Sequence, residues 1–201
     1  MKVAIVSFDG FNEIDSIIAH SMLNQVGEPD WTVSIVAPSE TVTSKHGTTM
    51  LTQRPLAFAN EADVVLFGSG VDSFSVAQNA KLMSTFRLCS KRQLIGSQCS
   101  GAVFSHTLGI STNLPVCTDD ETKPRLRAMG ARVINKAFTV SGNVASAGGC
   151  FASIYLATWV IARVAGVNEA KRVVRYFAPV CQKDVYTAQT LEAVFEGFDN
   201  R

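Results

Sequence analysis

Short runs of apolar residues alternate along this chain with longer segments in which apolar and polar residues recur at helical spacing. The apolar runs are rich in β-branched residues and end at glycine or polar residues, which is typical of strands buried on both faces. The predicted strands cover residues 2–8, 31–37, 63–67, 93–97, 131–134, 137–140 and 144–147. The predicted helices cover residues 14–26, 75–92, 100–108, 119–129 and 149–165, and a last helix starts near Asn168.

The order of these elements predicts the fold class. Repeated strand–helix–strand units give parallel strands, because each helix carries the chain back along the sheet. We therefore expect an α/β three-layer sandwich with a mostly parallel central sheet. Residues 141–143 (Ser-Gly-Asn) have the turn chemistry of a hairpin between the last two strands. Nothing resembling a linker or repeat divides the chain, so we expect one domain over residues 1–201.

Composition disfavours several functional classes. Hydrophobic residues make up 47% of the 201 residues and charged residues 17%, as in globular domains. The formal net charge of +1 gives no field that would attract nucleic acid or an anionic membrane. The first residues predict a strand rather than a secretory signal. We therefore expect a cytoplasmic protein that binds neither nucleic acid nor membrane.

The cysteine and histidine pattern bears on redox state and metals. The five cysteines are odd in number and widely spaced, and the three histidines lack the spacing of metal ligands. We expect no disulfide framework, no metal site and no cofactor. The cysteines are Cys89, Cys99, Cys117, Cys150 and Cys181.

Residues 96–102, Gly-Ser-Gln-Cys-Ser-Gly-Ala, carry the sharpest chemical signal. A strand ends there, Cys99 follows, and a helix begins at once. Small residues two positions before and after the cysteine (Ser97 and Gly101) complete the pattern of a nucleophile elbow. Backbone N–H groups at a helix start stabilise a thiolate, so we expect the pKa of Cys99 to lie below its usual value. The N–H of Ser100 is expected to point toward an oxyanion formed on attack.

Two other interpretations of the cysteines stay open. Cys99 is alternatively a small buried core residue, as most single cysteines are. Cys150 follows two glycines at a predicted helix start, and it is a weaker candidate for lining the same pocket.

Beyond this local pattern, the chain from about residue 2 to 179 resembles the ThiJ/PfpI superfamily, the class I glutamine-amidotransferase-like proteins. The stretches that carry the resemblance are 3–15 (VAIVSFDGFNEID), 62–70 (ADVVLFGSG), 95–109 (IGSQCSGAVFSHTLG) and 140–166 (VSGNVASAGGCFASIYLATWVIARVAG). The resemblance implies a flavodoxin-like fold with a nucleophile elbow, and a homodimer. It also implies a nucleophile at Cys99, an acidic partner at Asp15 on the first helix, and oxyanion-binding amides at Ser100 and Gly70.

The residue after the cysteine separates branches of this superfamily. The protease-like branch carries histidine there, whereas this chain has Ser100, which disfavours a peptidase. An aspartate on the first helix with a hydroxyl residue after the cysteine is similar to the isonitrile hydratase branch, which converts an isonitrile and water into an N-substituted formamide. Related domains also form the sensing half of AraC-type regulators, although we expect a stand-alone protein here.

Two functions therefore remain at this point. One is a cofactor-free cysteine hydratase or hydrolase of a small electrophilic molecule, and the other is a non-catalytic sensor of oxidants or metabolites. The chain departs from the superfamily pattern at four places, one of which is Ser16-Ile17-Ile18-Ala19 where a Gly-Pro pair usually follows the aspartate. It also has Gly68-Ser69-Gly70 in place of Pro-Gly-Gly, Asp119 in place of histidine, and Tyr155 in place of an aspartate on the long helix.

Overall fold

The computed structural model describes residues 1–196. Its strands are β1 (Lys2–Val6), β2 (Thr32–Ala37), β3 (Thr41–Thr43), β4 (Thr49–Leu51), β5 (Arg54–Pro55), β6 (Val64–Phe67), β7 (Leu94–Gln98), β8 (Pro115–Val116), β9 (Arg132–Val133), β10 (Phe138–Ser141) and β11 (Val144–Ala147). Its α-helices are α1 (Glu13–Leu23), α2 (Ser73–Ala77), α3 (Ala80–Met83), α4 (Ala102–Thr107), α5 (Thr122–Ala128), α6 (Ser153–Val164), α7 (Val167–Phe177) and α8 (Lys183–Glu196). Short 3₁₀ helices cover Leu56–Asn60, Cys99–Gly101 and Cys150–Ala152.

A seven-stranded sheet in the order β10-β11-β7-β6-β1-β2-β5 forms the centre of the molecule. Its neighbouring strands are parallel except for β10 and β11, which form the expected antiparallel hairpin. The pairs β3–β4 and β8–β9 form two small separate sheets. The predicted α/β fold with a mostly parallel central sheet is confirmed.

Side chains of successive strand residues enter two different cores. In β1, Val3 and Ile5 belong to one buried cluster, and Ala4 and Val6 belong to another. This alternation follows from the period of two in a strand, which sends neighbouring side chains to opposite faces. Trp159 of α6 fills the first core, whereas residues of α4 fill the second. Helices therefore cover both faces of the sheet.

The central strands place four loops side by side. The strands β1, β6, β7 and β11 are parallel, so the loops that follow them leave the sheet at the same edge. Ligands of open α/β sheets bind in the crevice outside this carboxyl edge. The predicted site residues all lie in these loops or in the helices that follow them.

The prediction of one continuous helix over residues 75–92 is wrong. The chain instead forms the short helices α2 and α3 and then an irregular segment. A new helix begins after Asn79, because its side-chain oxygen accepts a hydrogen bond from the N–H of Leu82 at 3.0 Å. The side chain of Asn60 bonds the carbonyl of Thr85 and the N–H of Arg87, and these bonds hold the irregular segment in place of helical ones.

The C-terminal part of the chain contains one helix more than predicted. The helix expected near Asn168 is present as α7, and α8 follows it. The buried face of α8 includes Thr187 and Thr190, whose hydroxyls donate to the carbonyls of Lys183 and Tyr186 one turn earlier. Because these buried positions are polar in sequence, the apolar periodicity of α8 is weak. None of the helices in residues 1–196 is long and apolar enough to cross a membrane.

Candidate functional site

Cys99 lies on a strained turn at the end of β7. Its φ of 47° falls in the left-handed region, which residues other than glycine rarely adopt. Such strain persists only where surrounding contacts enforce it, and here the hydroxyl of Thr118 donates to the carbonyl of Cys99 at 2.7 Å. The chain then enters the 3₁₀ helix Cys99–Gly101 and continues into α4. The nucleophile elbow expected from the sequence is therefore present.

The glycine two residues after the cysteine is required by a close backbone approach. A Cβ atom on Gly101 would lie 2.4 Å from the carbonyl oxygen of Phe67 and 2.8 Å from that of Gly68. These distances are shorter than any tolerable contact with a fixed backbone. The absence of a side chain at Gly101 thus lets the elbow pack directly against the end of β6.

Asp15 is almost completely buried beside Cys99. The helix that carries it, α1, begins directly after Asn12, whose side chain caps the helix by accepting a hydrogen bond from the N–H of Ile14. Asp15 is 2% exposed, and the Oδ2 atom of its side chain accepts a hydrogen bond from the hydroxyl of Ser69. Its Oδ1 is buried and has no hydrogen-bond partner among residues 1–196. A carboxylate oxygen of Asp15 lies within 4.8 Å of the Sγ atom of Cys99.

Ser100 and Gly70 contact each other next to the cysteine. The loop that carries Gly70 is held against the first loop by a β-bridge between Phe11 and Gly70. The N–H of Gly70 lies 3.1 Å from the hydroxyl oxygen of Ser73 and 3.1 Å from that of Ser100, and it donates to both. The structure thus brings the two predicted oxyanion-binding residues together. The N–H of Gly70, however, already donates its hydrogen bond to hydroxyl oxygens instead of facing the cavity as a free donor.

Cys150 lies in one cluster with Asp15 and Cys99, although the sequence indicated it only as a weaker candidate for lining the pocket. Its Sγ lies within 4.8 Å of both the Asp15 carboxylate and the Sγ of Cys99. The side-chain amide of Asn12 donates to this Sγ at 3.1 Å. Gln98 connects the two cysteine loops, because its side-chain amide donates to the carbonyl of Gly149 at 2.7 Å and contacts the Sγ of Cys99 at 3.6 Å.

A cavity of about 390 Å³ opens onto these thiols. Cys99, Cys150 and Ser69 form part of its wall, and Asp15 lies behind them in the protein interior. Charged side chains of both signs surround the opening, and the guanidinium of Arg125 lies 3.6 Å from the ring centre of Phe74. The charged lining residues are Lys45, Asp119, Asp120, Glu121 and Arg125. The cavity therefore suits a small molecule with polar groups.

Burial shifts the pKa values of both central groups upward. Burial raises the pKa of Asp15 to about 6, although the hydrogen bond from Ser69 opposes this shift. Burial also raises the pKa of the Cys99 thiol, and the negative charge of Asp15 raises it further. The expected lowering of the Cys99 pKa is therefore wrong. With these shifts the negative charge of the pair lies on Asp15 rather than on Cys99 at neutral pH.

The cluster of two thiols and one carboxylate also has the composition of a metal site. The ligand atoms of Asp15, Cys99 and Cys150 lie within 4.8 Å of one another, and sulfur ligands of this kind bind zinc. The expectation that the protein uses no metal therefore stays a prediction.

The sequence departures from the superfamily pattern have different consequences. Ser69 replaces a glycine, and its hydroxyl holds Asp15. Asp119 accepts a hydrogen bond from the N–H of Thr122 at 2.9 Å, which fixes the start of α5 at the cavity. Tyr155 packs edge-on against Phe138 with ring centres 6.4 Å apart, and it lines a separate cavity.

Two side chains that contact the thiols were not apparent from the sequence as participants in the site. Asn12 and Gln98 contact the thiols, yet each looks like an ordinary polar residue at the end of a predicted element. Their position directly beyond β1 and at the end of β7 is the only sequence signal that points to them.

The family model described as the DJ-1/PfpI family matches residues 1–163. The chain belongs to the DJ-1/PfpI family. Comparison with curated protein sequences gave no significant match. Among solved structures, the Schizosaccharomyces pombe DJ-1 is 15% identical with a TM-score of 0.75, and the alignment covers 89% of this chain and 100% of that one.

Two further solved structures have the same fold. A ThiJ/PfpI family protein from Pseudomonas syringae is 17% identical with a TM-score of 0.77, and the alignment covers 98% of this chain and 88% of that one. The Drosophila melanogaster DJ-1beta is 19% identical with a TM-score of 0.74, over 87% of this chain and 96% of that one. At these identities the likeness shows the DJ-1/PfpI fold and leaves the reaction open.

Proposed function

We propose that this protein is a cysteine-dependent enzyme that adds water to a small electrophilic substrate. Cys99 is the nucleophile, and Asp15 accepts and returns its proton. The observation that carries the proposal is the buried carboxyl of Asp15, which has one oxygen without a hydrogen-bond partner among residues 1–196 and lies within 4.8 Å of the Cys99 Sγ. A buried acceptor without a partner is costly, and such groups are concentrated at functional sites.

The proton transfer explains how a buried thiol becomes reactive. As the Sγ of Cys99 attacks, its proton passes to the carboxylate of Asp15, so the site never holds two negative charges. The raised pKa of Asp15, about 6, suits a group that must both accept and release a proton near neutral pH. Asp15 then returns the proton to the substrate atom that becomes negative.

Backbone amides stabilise the charge that develops on the substrate. The N–H of Ser100 lies in the first turn after the nucleophile, where helical N–H groups have no partner within the helix. The N–H of Gly70 becomes available when the side chains of Ser73 and Ser100 change rotamer, because their Oγ atoms accept its hydrogen bond in the structure.

Isonitriles are the substrate class that we propose first, in line with the resemblance to isonitrile hydratases. The Sγ of Cys99 bonds to the terminal carbon of the isonitrile, and that carbon takes the proton held by Asp15, which gives a thioimidate. Water then adds to the thioimidate carbon, the carbon–sulfur bond breaks, and the thiol is restored. The sum is one isonitrile plus one water giving one N-substituted formamide.

A second candidate is a non-catalytic sensor of oxidants or metabolites. The observation that favours it is the N–H of Gly70, which donates to the hydroxyls of Ser73 and Ser100 instead of facing the cavity as a free donor. A protein of this kind would bind a small molecule near Cys99 without turning it over.

Turnover of an isonitrile separates the two candidates. Reduced protein is incubated with a simple alkyl isonitrile, and formamide is quantified by chromatography. The enzyme proposal requires that Cys99→Ala and Asp15→Asn each lower the rate by at least about 100-fold, because each removes a group that moves in the reaction. Cys181→Ala, at an exposed cysteine, is the matched control and retains the wild-type rate. Absence of turnover with isonitriles, dicarbonyls and amides would favour the sensor.

The domain organisation and the location rest on the sequence pattern and composition, and the homodimer rests on the family resemblance. We propose one domain over residues 1–201, a homodimer, and a location in the cytoplasm. Light scattering on the purified protein tests the dimer, and a tagged copy followed by cell fractionation tests the location.

A further inference from the structure

We propose that Cys150 is a resolving cysteine: a hydroperoxide that oxidises Cys99 yields a reversible disulfide between Cys99 and Cys150. This inference goes beyond the proposed hydration reaction, because it needs only the two thiols and an oxidant. It assigns a covalent modification to the pair Cys99 and Cys150. Cys150 has no part in the proposed hydration mechanism.

The sheet brings the two cysteines together from distant parts of the sequence. The strands β7 and β11 are parallel neighbours, and Gln98 at the end of β7 pairs with Ala147 at the end of β11. Cys99 follows β7 directly, and Cys150 lies three residues beyond β11. Their Sγ atoms therefore lie within 4.8 Å of each other although the residues are far apart in the chain.

The loops that carry the two cysteines are tied to each other. The side-chain amide of Gln98 donates to the carbonyl of Gly149 at 2.7 Å and contacts the Sγ of Cys99 at 3.6 Å. This bridge holds the residue before one cysteine against the residue before the other. It keeps the second thiol close at the moment when the first is oxidised.

The side chain of Cys150 has the freedom that a resolving cysteine needs. Cys150 is only partly buried, and it begins a single 3₁₀ turn after Gly149, whose φ is 90°. Its Sγ accepts a hydrogen bond from the side-chain amide of Asn12 at 3.1 Å. A disulfide requires the sulfurs to approach to about 2 Å, and a change of rotamer at Cys150 moves its sulfur toward Cys99.

The oxidation proceeds in two balanced steps. The Sγ of Cys99 attacks the terminal peroxide oxygen, the O–O bond breaks, and the proton first taken by Asp15 goes to the departing oxygen, giving an alcohol (water from hydrogen peroxide). The Sγ of Cys150 then attacks the sulfenic sulfur of Cys99, the S–O bond breaks, and the hydroxide leaves as water with the proton of Cys150. Two thiols are oxidised by two electrons in total, and one hydroperoxide is reduced.

The disulfide would switch the site off without damaging it. With its sulfur bonded to Cys150, Cys99 has no thiol for attack on a substrate. The same bond prevents a second oxidation of Cys99 to the sulfinic acid, which thiols do not reverse. Both cysteines line the cavity, so a small hydroperoxide reaches them by the route that the substrate uses.

Peptide mapping after peroxide treatment tests the inference. Reduced full-length protein is treated with hydrogen peroxide, free thiols are alkylated, and tryptic peptides are analysed by mass spectrometry. We expect a disulfide-linked pair of segments 93–125 and 137–163, which carry Cys99 and Cys150, and dithiothreitol should separate them. Segment 93–125 also contains Cys117, so Cys117→Ala is the matched control and retains the linked pair.

Substitution of the resolving cysteine should change the product. In Cys150→Ser we expect Cys99 to gain two oxygen atoms and to stay oxidised after dithiothreitol. The inference is overturned if wild-type protein accumulates that same sulfinic product while Cys150 remains alkylatable, or if Cys117→Ala loses the linked pair. The readout is a mass rather than turnover, so it stands or fails independently of the hydration proposal.

Discussion

The hydroxyl of Ser69 donates a hydrogen bond to Oδ2 of Asp15 in a buried site, where Oδ1 of the same carboxyl has no partner among the described residues 1–196. One oxygen of the carboxyl is thus held by a hydrogen bond, and in the proposed mechanism the other oxygen exchanges a proton. Since the superfamily pattern has glycine where this chain has Ser69, the hydroxyl is a feature of this chain that tunes its acidic residue.

Removal of that hydroxyl should shift the pH dependence of the site. The hydrogen bond from Ser69 lowers the pKa of Asp15 against the larger effect of burial, so Ser69→Ala should raise this pKa further above 6. We expect the acidic limb of the activity profile to move to higher pH by roughly one unit, the worth of one hydrogen bond to a charged group. Ser73→Ala, which removes a hydroxyl that contacts Gly70, should leave the position of this limb unchanged. An unmoved limb in Ser69→Ala would contradict this role.

Asp15→Asn should stabilise the protein at neutral pH while it abolishes activity. The pKa of Asp15 is raised from 3.8 to about 6, so the folded state binds this proton more tightly than the unfolded chain, and stability falls as pH rises between these values. The ionised carboxylate therefore costs about 2–3 kcal/mol at pH 7, which Asn avoids. Urea unfolding at pH 7 should show this gain, and the gain should vanish near pH 4.

Asp120→Asn is the matched control for that measurement. Asp120 is exposed and paired with Lys123, so its replacement should leave the midpoint of urea unfolding close to that of the wild type. A gain for Asp15→Asn that does not depend on pH would show that the charge is not the cause.

The variant Ser100→Ala tests whether the backbone N–H or the hydroxyl of Ser100 contributes to the reaction. Our mechanism uses its backbone N–H, which alanine retains, so turnover should fall by less than about tenfold. Loss of one oxyanion-hole donor typically costs about 100-fold or more, and a loss of that size in Ser100→Ala would mean that the hydroxyl is needed. The measurement is kcat/KM for formamide formation.

Gly101→Ala should destabilise the fold more than an ordinary glycine replacement. The added methyl group would lie 2.4 Å from the carbonyl oxygen of Phe67, so the elbow must move away from β6 at a cost of about 1–3 kcal/mol. Gly27→Ala is the control, because no atom lies within 4 Å of the added group and the backbone there is ordinary. Equal midpoints of urea unfolding for the two variants would contradict the close approach.

The sequence predicted correctly those elements whose conformation is set by interactions between residues close together in the chain. The elbow around Cys99 and the central strands were predicted because turn residues and apolar runs act over a few residues. The prediction of a helix over residues 75–92 was wrong because side chains from distant parts of the sequence, such as Asn60, hold that segment in another conformation. The helix α8 was missed because buried threonines satisfy their hydroxyls within the helix and hide its apolar face.

The properties of the site depend on residues that are distant in sequence. A helix start alone predicted a lowered pKa for Cys99, but the helix begins as a short 3₁₀ turn, and burial together with Asp15 raises the pKa. The place of Cys150 follows from the pairing of β7 with β11, which neither segment reveals by itself.

The rate of Cys99 alkylation as a function of pH tests most directly whether Asp15 accepts the thiol proton. Iodoacetamide is applied between pH 5 and 10, and the modification of Cys99 is followed by peptide mass spectrometry in the wild type and in Asp15→Asn. The account predicts that the wild-type rate rises with a midpoint near the Asp15 pKa of about 6 and then stays level. In Asp15→Asn the level region should be absent, and the rate should rise about tenfold per pH unit through neutral pH. A wild-type rate that rises in that same way, with no level region, would contradict the account.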